Sequence, residues 1–374
     1  AVLFNLEGEQ LGCVQQEWTH REDPRYPGSM DFDWVHNWDL ARGCIRGVIE
    51  QTGVDPHDIA AVSTTCMREG IVLYDKDGQE IWACANVDAR SDDEVAQLVH
   101  MNPELEKQIY RESGQTYALG ALPRLFWVKN KMPEVYEKTA MCTMFNDWLI
   151  YKMTGVFSSE PSNACTTGIF DLKARDWDDQ IAASIGLKTG IFPKISECGT
   201  VVAQVGAKGA AETGLAEGTP VVAGGGDAQL GCVGVGVVDA NQAAIFGGSF
   251  WQYEYNTDEA KTDEHCRVRV NCHSVPGIWQ YEALAFKPGM VMRWYRDAFC
   301  QYEKELSKTT GRDPYDLMNE KAKDIPAGCY GMMCAFSDVM NYISWRHASP
   351  MFINFDFDPD KFNRYTFYRA IMEN

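Results

Sequence analysis

The stretch "TPVVAGGGDAQLG", residues 219–231, sets three glycines directly before a single aspartate. "PVV" reads as a short buried strand running into the glycines, which puts Asp227 at a strand's C-terminal end, where open α/β sheets hold their ligands. Glycine lacks Cβ and tolerates positive φ, so the run lets another chain or a ligand approach the backbone closely. A carboxylate at that point can accept the proton of a substrate hydroxyl. The same residues also suit a tight turn in which Asp227 caps the following helix.

The neighbouring segments bear on that choice. In "TTCMREG" (64–70), Arg68 and Glu69 stand side by side after the apolar strand "IAAVSTT". On a regular strand they would point to opposite faces, so a joint role needs a turn or a bulge. A forked guanidinium beside a carboxylate suits a polyhydroxylated ligand, which offers both acceptors and donors; an ordinary surface ion pair is the alternative. In "CANVDARSDDE" (84–94), alternation would set Asn86, Asp88 and Arg90 on one polar face, which either meets a ligand or is a solvated edge. In "IFGGSFW" (245–251), Gly248 and Ser249 could present N–H groups and a hydroxyl to phosphate, or could close a plain hairpin. "KPGMVMRWYRD" (287–297) places Pro288 and Gly289 at a helix start, where N–H groups favour an anion, although Pro-Gly also serves as simple punctuation.

Other chemistries are disfavoured. No G-x-x-x-x-G-K-[ST] loop occurs, so this is not a P-loop enzyme. "HCRVRVNCH" (265–273) imitates a metal motif, but its core alternates as a strand, and an extended chain separates Cys266 from Cys272 by roughly 20 Å. His347 in "SWRHASP" is a lone histidine among aromatics and reads as structural.

Organisation follows from periodicity. "AVLFNLEGEQLGCVQQEW" predicts two strands joined by a Glu-Gly turn, and "WVHNWDLARGCIRGVIEQTG" an amphipathic helix ended by glycine. Three strands follow across residues 59–87, then helices over about 92–113, 122–131 and 141–153. Alternating strands and helices predict an α/β fold with a mixed sheet. The pattern restarts near residue 240 with strands "AAIFGGSFWQYEY" and "HCRVRVNCHSV", which suggests domains at 1–239 and 240–374.

With 374 residues, 45% of them hydrophobic, the chain can build two ordinary cores. Its net charge of −19 argues against a nucleic-acid groove but not against a nucleotide, which backbone N–H groups and a metal ion can hold locally. Thirteen cysteines without C-x-x-C point to a reducing, cytoplasmic setting rather than a disulfide framework. No apolar run approaches a membrane span, so no membrane partner is expected.

Taken together, "TTCMREGIVLYDKDGQEIWACANVDARSDDE", "DWLIYKMTG", "PSNACTTGIFDLKARDWDDQI", "GGGDAQLG" and "PGMVMRWYRDAF" resemble the FGGY carbohydrate kinases over essentially the whole chain. "MREGIVLY" with "WACANVDAR" is similar to one branch of that family, which phosphorylates a small hydroxylated carbonyl compound at a terminal hydroxyl. The resemblance implies two domains of actin-like, ribonuclease-H type, the second incomplete here, with a cleft that closes on ATP and sugar. It implies that Asp227 is the catalytic base, near the Mg2+ that accompanies ATP, and that Arg68 and Glu69 bind substrate together with Asn86 and Asp88. It places Gly248 and Ser249 in a phosphate-contacting turn, and Gly289 and Arg293 at the nucleotide site. Departures are visible. Many members carry Trp where this chain has Asn86, which fits a substrate other than glycerol or xylulose, and Lys is usual at Arg124. The resemblance also leads one to expect a D-x-G-T-type phosphate turn before Ala1 and a glycine-rich adenosine loop after Asn374, as if this were part of a longer chain.

Overall fold

The structure is a computed structural model that describes residues 1–117, 120–248, 251–285, 288–336 and 351–374. Contacts gather the chain into two compact units: residues 1–244 with 254–282, and residues 245–253 with 283–374.

In the first unit, β1 (Val2–Phe4) and β2 (Gln10–Cys13) pair antiparallel around a turn with Gly8 at φ 84°. Helix α1 (Trp34–Thr52) begins where the Asp33 carboxylate accepts the His36 N–H and ends at Gly53, φ 65°, the predicted start and stop. Strands β3 (Val62–Cys66), β4 (Ile71–Tyr74) and β5 (Glu80–Cys84) follow. Helices α2 (Asp92–Met101) and α3 (Leu105–Ser113) are separate, broken around Pro103. They lead to α4 (Ala121–Lys131) and α5 (Pro133–Lys138).

The helix expected from 141 opens instead with a strand, β6 (Met141–Met144), and helix α6 covers Phe145–Thr154. Each residue of β6 pairs with one of β4, Met141 with Tyr74 through Met144 with Ile71, and this pairing overrides helical spacing. The Asp147 carboxylate accepts the Met144 N–H at 3.1 Å and fixes the switch from strand to helix. Strand β4 is central in the order β5-β4-β6 and all four of its residues are buried. Ile71 and Leu73 enter a core with Leu98, Ile109, Leu122 and Leu125, while Val72 and Tyr74 enter another with Phe32, Trp38, Phe145 and Trp148. A strand covered on both faces reads as the unbroken apolar run seen in "IVLY".

The chain continues through α7 (Pro161–Ala164), β7 (Phe170–Asp171), β8 (Asp176–Trp177), α8 (Asp179–Ser184), β9 (Val201–Gln204) and α9 (Ala207–Thr213). Next come β10 (Pro220–Gly226), α10 (Asp227–Gly234), β11 (Ala243–Gly247), β12 (Trp251–Thr257), β13 (Arg269–Cys272) and β14 (Trp279–Ala285). Strand β10 lies between β3, parallel to it, and β9, antiparallel. Strands β13 and β14 pair antiparallel, with Arg269 opposite Glu282 and Asn271 opposite Gln280. These paired residues, in the part of the chain expected to open a second domain, belong to the first compact unit.

The second unit contains α11 (Pro288–Phe299), α12 (Gln301–Thr310), α13 (Pro314–Ala322), β15 (Met333–Ala335), β16 (Met351–Ile353) and α14 (Arg364–Glu373). Tyr295, Met318, Tyr368 and Ile371 form its core. Arg364 and the Tyr365 hydroxyl converge on Glu303 at 2.8 and 2.6 Å. Among the described residues no helix is long and apolar enough to cross a membrane. His347 lies outside the described residues.

Candidate active site

Parallel pairing brings the site residues to one place. Gly226, the last residue of β10, stands opposite Cys66, the last residue of β3. Both strands point the same way, so Asp227, one residue further on, and Arg68, two residues further on, leave from the same end of the sheet. The glycines belong to the strand itself, and none of the three has a positive φ. Proximity is what requires them. A Cβ on Gly224 would lie 1.6 Å from the Thr64 carbonyl oxygen, and one on Gly226 would lie 2.9 Å from the Arg68 side chain. The register shifts between Val222 and Gly225, so β10 carries one extra residue there, a bulge that presses its backbone against β3. The Gly226 N–H is held by Ser162 Oγ at 3.0 Å.

Arg68 and Glu69 form the turn between β3 and β4. Glu69 adopts φ 78°, a left-handed conformation that costs a non-glycine residue about 1–2 kcal/mol. Arg124, 1% exposed, stabilises it. Its guanidinium donates to the Glu69 carbonyl oxygen, and to those of Asn86 at 2.6 Å and Asp88 at 3.0 Å. One buried cation thus ties the two turns together through their main chains.

The pair is buried rather than a surface ion pair, and it belongs to an alternating ring of charge. Arg68 Nη2 lies 2.5 Å from Glu282 Oε2, Arg269 Nη1 lies 3.5 Å from Glu282 Oε1, and the same Nη1 lies 2.6 Å from Glu69 Oε1. Burial pushes the Glu282 carboxyl up, but Arg68 and Arg269 outweigh it and hold it below the usual range. Glu254, also buried, is raised well above its ordinary value by desolvation and by the charge of Glu282. Two cations, Arg68 and Arg269, therefore face the carboxyl groups of Glu69, Glu282 and Glu254, a setting with both donors and acceptors for a hydroxylated ligand.

Asp227 differs from its surroundings because 52% of its side chain is exposed. Oδ1 accepts the Ala228 N–H at 2.9 Å and lies 3.8 Å from Arg68 Nε. Desolvation by the surrounding protein raises its carboxyl, with Arg68 opposing. The first residue of α10 thus combines an exposed carboxylate with a guanidinium at its side, and can take a proton from a hydroxyl placed there.

The segment 86–90 departs from the expected strand. Strand β5 ends at Cys84, so Asn86, Asp88 and Arg90 do not share a strand face. Arg90 turns back onto Asp88 instead, with Nε at 2.8 Å and Nη2 at 2.6 Å from Oδ2. Asp88 also accepts the Met30 N–H at 2.6 Å. Asn86 is half-buried beside this turn. Gly248, in an exposed bend, and Gly289 and Arg293, on α11 with Arg293 exposed, belong to the second unit, whereas Ser249 lies outside the described residues. Among the described residues no group of three His, Cys, Asp or Glu side chains is placed to hold a metal.

Sequence reasoning did not single out Arg269, Glu282, Gln115 or Glu254. A signal was present: Arg269 and Asn271 alternate with buried Val270 and Cys272, and Gln280 and Glu282 continue the same polar face on β14. Polar residues on an inward face call for partners, and these have them.

Residues 1–234 match the N-terminal domain of the FGGY family of carbohydrate kinases. The chain is 47% identical over 375 aligned positions to proteins named autoinducer-2 kinase from Klebsiella pneumoniae and Escherichia coli K12, a match covering 100% of this chain and 70% and 71% of theirs. Among solved structures, xylulose kinase from Rhodospirillum rubrum superposes with a TM-score of 0.84 at 22% identity, covering 100% of this chain and 73% of that one.

Proposed function

The chain belongs to the FGGY family of carbohydrate kinases, and from that premise we propose that it phosphorylates autoinducer-2, as linear 4,5-dihydroxypentane-2,3-dione, at its terminal hydroxyl. Membership gives the fold, actin-like and of ribonuclease-H type, and the reaction class, phosphoryl transfer from ATP to an alcohol group of a small molecule. The acceptor is the finer step, supported by the 47% identity to autoinducer-2 kinases and by buried guanidinium and carboxyl groups that offer a small hydroxylated carbonyl compound both donors and acceptors. Its physiological setting on this reading is quorum-signal processing.

In this reading Asp227 is the general base that takes the hydroxyl proton as the oxygen attacks the γ-phosphorus. Arg68 and Glu69 bind the hydroxyl and carbonyl oxygens of the acceptor, with Asn86 alongside. Asp88 contributes through the turn that it holds closed. The substrate side takes residues 1–239 together with the segment 254–282 that packs in the same unit, and the rest of 240–374 is the nucleotide side, where Gly248 and Ser249 contact phosphate and Gly289 and Arg293 line the nucleotide site. Mg2+ would be held mainly by the substrate phosphates, with the exposed Asp227 as the nearby carboxylate. When bound, the ion offsets charge on the phosphates.

The observation that carries the proposal is the meeting of an exposed Asp227 with the buried Arg68–Glu69 pair at the ends of adjacent parallel strands. The test is ATP consumption by the full-length protein with dihydroxypentanedione, xylulose, ribulose and glycerol. The highest kcat/KM is expected for dihydroxypentanedione, and preference for a pentulose or for glycerol would overturn the assignment of acceptor.

A further inference from the structure

Resting on the assignment of Arg68 and Glu69 to the acceptor, we propose that Arg269 and Glu282 are positioning residues for acceptor binding. Facing each other across the β13–β14 ladder, they fix both side chains of the Arg68–Glu69 pair and leave Nη1 of Arg68 for the ligand.

The donors of Arg269 are divided between two jobs. Nη1 reaches Glu69 at 2.6 Å, while Nε and Nη2 both donate to Gln115 Oε1, at 2.9 and 2.6 Å. Gln115 is held in turn, since its Nε2 donates to the Val270 carbonyl oxygen at 3.0 Å and to Asn271 Oδ1 at 2.9 Å. The fork is thereby anchored to its own strand and cannot swing away from Glu69. Lysine, a point charge without a planar fork, could pair with Glu69 but not hold Gln115 in this way. Glu282 has a side chain with 0% exposure and grips Arg68 Nη2 at 2.5 Å. Asn271, next on the same face of β13, donates to Glu282 at 3.4 Å.

The leftover donor is what the ring presents to a ligand. Arg68 Nη1 is buried and has no hydrogen-bond partner, although Nη2 is paired and Nε faces Asp227. A guanidinium N–H in that state is costly until an acceptor arrives. It belongs to the residue that also touches the proposed base. Glu282 Oε1 and both Glu254 oxygens, in the same cluster, are likewise without hydrogen-bond partners, so a donor and acceptors are together available to a hydroxylated ligand.

The test uses the full-length protein and the acceptor with the highest wild-type kcat/KM in the four-acceptor panel. Arg269→Lys and Glu282→Gln are expected to lower kcat/KM for the acceptor by about tenfold or more, through KM, because a charged hydrogen bond is misplaced. KM for ATP should stay within about twofold, the scatter expected of uncoupled sites. Adding Arg269→Lys to Glu69→Gln should cost little beyond Glu69→Gln alone, since the residue being positioned is already impaired. Should Glu282→Gln fail to fold, Gln115→Ala takes its place, removing the neutral acceptor of Arg269 along with its tie to Val270 and Asn271, with the same split expected. A lowered melting temperature with unchanged acceptor KM, or equal losses for ATP and acceptor, would overturn the proposal alone. A wild-type enzyme inactive on all four acceptors would overturn the functional reading and this proposal with it.

Discussion

Two arginines of this chain, Arg68 and Arg90, each stand within two residues of an acidic residue in sequence, and both are buried, yet they are built for different ends. The Arg90 guanidinium contacts Asp88 and Asp31 and lies over the rings of Trp82 and Trp127 at 5.3 and 5.0 Å. Arg68 keeps a buried N–H without a partner and faces an exposed carboxylate at 3.8 Å. Ion pairing and depth do not distinguish them. What does is the buried Nη1 of Arg68, which has no acceptor, whereas Arg90 spends its Nε and Nη2 on closing a turn.

The largest effect should come at the open end of that comparison. Asp227→Asn keeps an oxygen for the Ala228 N–H but cannot take a proton, so kcat should fall by ~10²–10⁴-fold with melting unchanged. Retention of more than about a tenth of wild-type kcat would remove Asp227 from the chemistry. Next is the packing that brings the strands together. Gly224→Ala forces a methyl against the Thr64 carbonyl oxygen and should cost on the order of 3 kcal/mol, read from the urea midpoint. A midpoint equal to wild type would mean that β10 and β3 can separate freely.

The arginines themselves can then be set against each other. Arg68→Lys keeps the charge beside Glu282 and loses the fork, and should reduce acceptor kcat/KM by roughly tenfold with KM for ATP unaffected. Arg90→Lys should instead lower the denaturation midpoint and leave acceptor KM near wild type. Interchanged outcomes would break the distinction. The smallest effect is one of pH. Desolvation raises the Asp227 carboxyl and Arg68 lowers it, so the acid limb of kcat/KM should lie above the usual aspartate range. Arg68→Gln removes the lowering influence, and the limb should move to still higher pH. Movement in the other direction would show that the limb belongs to another group.

Much of this was legible in the sequence. Periodicity and punctuation located α1, the strands of residues 62–84 and the strand leading to Asp227, because each is governed by local spacing and glycine stops. The turn placement of Arg68 and Glu69 followed from adjacent polar residues that could not share a strand face. The misreadings share a cause, namely partners distant in sequence. Residues 141–144 are a strand because β4 pairs with them. Arg90 leaves its expected face because Asp88, Asp31 and two tryptophans collect it. At the glycines the expected close approach is found, and what approaches is the Thr64 carbonyl oxygen and the Arg68 side chain. Arg269 and Glu282 lie some two hundred residues beyond the pair they hold, and only tertiary structure brings them there.

Arg124 has a consequence of another kind. It holds the carbonyl oxygens of Glu69, Asn86 and Asp88, never their side chains. A grip on the main chain is indifferent to what each residue displays, so identity at position 86 can drift without disturbing the frame that presents it. Specificity in such an arrangement is interchangeable trim on a fixed chassis. A designer wishing to retune the acceptor would vary Asn86 first and leave Arg124 alone.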